Sequence, residues 1–106
     1  MVVKHRKNTR KDAERAVEEM KALIRGHYPT VTFREDWDFE PPSIYLDAIL
    51  DAEPEAFDDY WQELHDLVRD LQLELHLGHG VHIVIIAELP PERSHERNRL
   101  IKAGLL

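Results

Sequence analysis

The chain has no cysteine among its 106 residues. Disulfides, thiolate nucleophiles and cysteine-ligated zinc are therefore excluded. No apolar run approaches the ~18–20 residues a membrane span needs. The opening MVVKHRKNTRK carries no apolar stretch of the secretory-signal kind, so a cytoplasmic protein is expected. Serine occurs only at Ser43 and Ser94. No G-x-S-x-G, P-loop or G-x-G-x-x-G is present, and no Ser-His-Asp pattern emerges. The common signatures of hydrolases and nucleotide cradles are thus missing.

What is present suits one small folded domain. A hydrophobic content of 42%, with two Trp, three Tyr and three Phe, argues against disorder. A chain of this length buries roughly 65% of its unfolded surface, enough for one core and little interior cavity. The net charge is −7, and it is unevenly spread. Lys4, Arg6, Lys7, Arg10 and Lys11 supply five positives before residue 12, leaving nine Lys plus Arg against 21 Asp plus Glu, a net of −12, in the rest. An acidic body repels phosphate backbones, so nucleic acid is an expected partner only for the basic residues 1–9. Those residues read as a solvated tail, and 10–106 as the domain.

Residues 10–26 form the clearest helix, with Ala13, Ala16, Val17, Met20, Leu23 and Ile24 on one stripe. Thr9 and Asp12 mark its start and Gly26 its left-handed stop. TVTFRE at 30–35 alternates, with Val31 and Phe33 on one face. DWDFEPPS reads as a loop. SIYLDAILD at 43–51 is a second strand, with Ile44, Leu46, Ala48 and Leu50 on one side, and an antiparallel pair is expected. Pro54 and the acids Glu53, Glu55, Asp58 and Asp59 open a second helix. Its expected core stripe is Phe57, Trp61, Leu64, Val68 and Leu71, flanked by Tyr60 and Leu67.

The segment LQLELHL at 71–77 has two readings. A continuing helix, capped by Gly78, leaves Leu73 and Leu77 facing water. A strand puts Leu71, Leu73, Leu75 and Leu77 on one face and makes a hairpin through Gly78-His79-Gly80. The absence of β-branched residues favours the helix. VHIVIIAEL at 81–89 is apolar on both faces and is expected at the centre of the sheet. Pro91 to Ala103 forms a charged helix stopped by Gly104. The predicted class is α+β in the order α-β-β-α-β-α, two-layered, with helices on one face of a small mixed or antiparallel sheet.

Two clusters could carry chemistry. His76, His79 and His82 recur every three residues. On the hairpin reading His76 and His82 become cross-strand neighbours able to chelate Zn²⁺ or copper. On the helix reading nothing converges, and the three are turn and surface residues. Asp36 and Asp38 form a D-x-D, with Glu40 near and Asp47 on the next strand; such carboxylates can hold Mg²⁺. In so acidic a body, clusters of this kind also arise from a plain solvated surface. Trp37, Phe39, Leu105 and Leu106 are candidate partner contacts, alongside the open sheet edge.

The order of elements, with the tail VHIVIIAELPPERSHERNRLIKAGLL, resembles the minimal nucleotidyltransferase scaffold over most of residues 11–106. The resemblance implies a Mg²⁺-dependent enzyme with a Gly-Ser loop after the first strand and paired acids at the second. Here TVTFREDWDFEPPSIYLD has no Gly-Ser, and Asp47 is the only acid where the pair would lie, since Tyr45 takes the other place. Asp36, Asp38 and Asp47 are the catalytic residues this reading would use. The competing expectation, and the leading one, is a non-catalytic module that binds protein or self-associates.

Overall fold

In a computed structural model of the chain the described residues are 10–39 and 42–106, without the side chains at 38, 39 and 42. The elements run α1 (Arg10–His27), β1 (Thr32–Phe39), β2 (Pro42–Ile49), a 3₁₀ turn (Pro54–Ala56), α2 (Phe57–His79), β3 (His82–Glu88) and α3 (Pro91–Lys102). This is the expected α-β-β-α-β-α order. The strands form one mixed sheet in the order β1-β2-β3, β1 antiparallel to β2 and β2 parallel to β3.

Each element follows from its pattern, with five corrections. The α1 stripe buries Ala13, Ala16, Val17, Met20 and Ile24 as read. Gly26, however, stays inside the helix, and among the described residues only Gly80 and Gly104 have positive φ. Tyr28 N–H instead closes the end on the Ile24 carbonyl at 2.7 Å. Second, DWDF is strand, because β1 continues to Phe39 in register with β2, Trp37 opposite Ile44. Alternation decided this: Phe33, Glu35 and Trp37 turn toward the helices, where Phe33 and Trp37 pack on the core. Third, the favoured helix at 71–77 forms, without the alternative strand, but it runs past Gly78. Leu73 and Leu77 face water, 56% and 73% exposed. The stop lies beyond Gly78, at Gly80 with φ 67°. Fourth, β2 and not β3 is central. Fifth, the buried line of α2 is Tyr60, Leu64, Val68 and Leu75, while Trp61 is 47% exposed. A shift of one residue turns the helix face by about 100°, and that is the difference between Tyr60 and Trp61.

The core lies between α1 and α2 and one sheet face built from Ile44, Leu46, Ala48, Ile83, Ile85 and Ala87. A fully buried Leu or Ile contributes about 1.5–3 kcal/mol, so Ile24, Ile44, Leu46, Leu64 and Ile83, each 0–1% exposed, dominate the stability.

β3 reads as central because both faces are apolar, yet it is an edge. Its outer carbonyls are answered from α2. Gln72 Nε2 donates to the Ile83 carbonyl at 2.9 Å. His65 Nε2 lies 3.2 Å from the Ile85 carbonyl, and Nδ1 lies 2.8 Å from that of Trp61. Covering an edge in this way blocks pairing with another strand. At the opposite edge β1 carries the exposed residues Arg34, Glu35 and Asp36, which discourage strand addition by charge.

Candidate functional site

Side chains alternate across a strand, so the residues opposite the helix-covered face share the other one. These are Arg34 and Asp36 of β1, Tyr45, Asp47 and Ile49 of β2, and Val84, Ile86 and Glu88 of β3. The register sets Arg34 opposite Asp47 and Asp47 beside Ile86; the next row is Asp36, Tyr45 and Val84. Arg34, Asp36, Tyr45, Asp47, Ile86 and Glu88 line a shallow depression there.

Charge on this face is organised around Arg34. Its Nη2 donates to Asp47 Oδ2 at 2.6 Å and to Glu88 Oε1 at 3.0 Å, and Nε donates to the same Asp47 oxygen at 3.0 Å. One guanidinium thus ties all three strands. The hydrogen bond to Asp47, followed by the charges of Glu88 and Asp47, holds the Arg34 pKa above its ordinary value. Asp36 is exposed and diagonal to Asp47.

Of the expected Mg²⁺ ligands Asp36, Asp38 and Asp47, the Asp38 side chain lies outside the described residues. Asp47 is already engaged by Arg34, and Asp38 is placed here only by its backbone pairing with Ser43. Among the described residues, no group of three or more His, Asp or Glu side chains is placed to hold a metal. Nor does any buried side-chain nitrogen or oxygen there lack a hydrogen-bond partner.

The histidines divide. His76, in the last turn of α2, and His82, at the start of β3, have ring centres 5.6 Å apart with planes at 57°. They approach although 71–77 is helix, which corrects the expectation that a helix keeps them apart. His79 departs from them and borders a depression with Asp12, Arg15, Glu19 and Leu75. His65, which sequence reading left aside, stacks on Trp61 at 4.3 Å between ring centres. Its edge role had one legible trace: His65 and Gln72 stand seven apart, two helical turns on one side of the Leu64–Val68 line.

Of the partner candidates, Leu105 and Leu106 are exposed, at 70% and 48%. Trp37 packs partly on the core, donates to Glu35 Oε1 at 3.0 Å and lies under the Arg10 guanidinium at 4.4 Å. The Phe39 side chain lies outside the described residues. No described helix is long and apolar enough to cross a membrane. Comparison of the chain with family models, with curated proteins and with solved structures finds no match.

Proposed function

We propose that this chain is a non-catalytic interaction module that self-associates through the uncovered face of its sheet. One-sided coverage carries the reading. α1 and α2 pack on one face, while the other presents Tyr45, Val84 and Ile86 among Arg34, Asp36, Asp47 and Glu88, with α3 reaching only the Ile49 end. Ile86 is 37% exposed, and apolar side chains grouped on an open sheet face favour burial against a partner. The face holds both signs of charge, with the Arg34 side chain 64% exposed beside carboxylates. A two-fold arrangement can set Arg34 of each copy against an acid of the other, the self-complementarity an isologous interface requires. Both sheet edges are defended, by α2 side chains on β3 and by charge on β1, which leaves the face as the route.

Sedimentation velocity over a concentration series tests this. The wild-type chain should shift from monomer to dimer by high micromolar concentration, and Ile86→Glu should remain monomeric with an unchanged melting temperature. A wild-type chain that stays monomeric throughout would remove the reading.

A further inference from the structure

We propose that His76 and His82 form a two-imidazole chelate for a borderline divalent transition cation such as Zn²⁺. The local fold brings them together. α2 ends at His79, Gly80 takes φ 67°, and the Gly80 N–H bonds the His76 carbonyl at 3.0 Å. The Val81 N–H then reaches back to the Leu75 carbonyl at 3.2 Å. The chain thereby reverses within residues 80 and 81 and returns His82 beside His76.

The ring separation suits one ion. Two imidazole nitrogens at ~2.0–2.1 Å from a tetrahedral Zn²⁺ place their ring centres roughly 5 Å apart. The observed 5.6 Å needs only a small side-chain rotation. Both rings are exposed, and among the described residues neither makes a hydrogen bond or ion pair. His65 differs in this respect, since both of its nitrogens face carbonyls. The donor set is two neutral nitrogens, with water filling the remaining positions. Imidazole donors favour Zn²⁺, Cu²⁺ or Ni²⁺, whereas Mg²⁺ demands oxygen. A bound ion would staple the end of α2 to the start of β3. Because the staple exists only in the native chain, it raises the melting temperature by mass action.

Zn²⁺ titrated into the full chain, followed by histidine ring NMR signals and by thermal melting, provides the test. The rings of His76 and His82 should shift together and saturably, and the melting temperature should rise. His76→Ala and His82→Thr keep helix and strand propensity, and each should abolish both responses while leaving the metal-free melt close to wild type. His79→Ala should leave both responses intact. Zn²⁺ responses that survive His76→Ala and His82→Thr, or vanish in His79→Ala, would overturn the site, as would no saturable shift of the two rings.

Discussion

Inside the core the Tyr60 hydroxyl donates to the Ala48 carbonyl at 2.6 Å. Tyr60→Phe removes this bond to a buried carbonyl of the central strand. It should destabilise the fold by about 1–2 kcal/mol in denaturant titration. Tyr28 lies edge-on to Tyr60 at 5.3 Å and donates to Glu63 Oε1 at 2.9 Å. Burial first, and then the bond to Glu63, push the Tyr28 phenol up to about 12. The unfolded phenol ionises near 10, so this contribution is whole below pH 10 and is lost as pH rises toward 12. Tyr28→Phe should therefore flatten the alkaline fall in stability between those values, as read by melts from pH 9 to 12. Glu35 has the opposite sign. Its bonds from Lys21 and Trp37 hold its carboxyl below the usual range. The contribution is present above the ordinary carboxylate value and disappears as pH falls through the depressed one. Glu35→Gln should cost about 0.5–1 kcal/mol at neutral pH and nothing in strong acid, with urea unfolding at the two pH values as the check.

At the scale of elements, α2 does two jobs, covering the sheet and closing the β3 edge. Gln72→Ala leaves the Ile83 carbonyl without its donor, at a cost of about 0.5–1.5 kcal/mol. Paired with His65→Ala it should also uncover a strand edge, giving concentration-dependent aggregation on heating that light scattering detects. A stable, non-aggregating double variant would contradict the protective role. Sequence pattern alone reached much of this architecture. The stripes of α1 and β2 were legible because apolar residues repeat without interruption at the period of their element. Three features were not. The end of α2 is one: LQLELHL reads as helix from its lack of β-branched residues, but Gly78 gives no sign that the helix runs on to His79 and takes its left-handed cap at Gly80. The choice of Tyr60 over Trp61 as the buried ring depends on the tilt of α2, which no local pattern records. The edge position of β3 was masked because a long helix lying beside it supplies the partners that a neighbouring strand would. For the candidate site, residue types were legible but their assembly was not. The pairing of His76 with His82 arises from a reversal at Gly80, two residues beyond the stop that Gly78 suggested.

For the molecule as a whole, charge sets behaviour in solution. The formal charge of −7 opposes non-specific precipitation near neutral pH, and that repulsion vanishes near the isoelectric point of 5.4. A light-scattering series should show minimum solubility there. With Asp47 held by Arg34 and no described three-ligand group, Mg²⁺ with a nucleotide should leave the melting temperature unchanged. A saturable rise would restore the nucleotidyltransferase-like reading. The helical layer is also asymmetric in how it is secured. α2 is locked to the sheet by carbonyl-directed side chains and the tight reversal into β3. α1 leads into β1 through a short link and meets it through charged side chains at the surface, among them the Lys21–Glu35 ion pair, Arg10 over the Trp37 ring and the Arg25 guanidinium 5.3 Å from the Phe33 ring. Amide hydrogens of α1 should accordingly exchange with deuterium by a partial detachment, ahead of those in β2. The first motion toward the unfolded ensemble would be the lifting of one helix, which bares Met20 and Ile24 while the strands stay zipped.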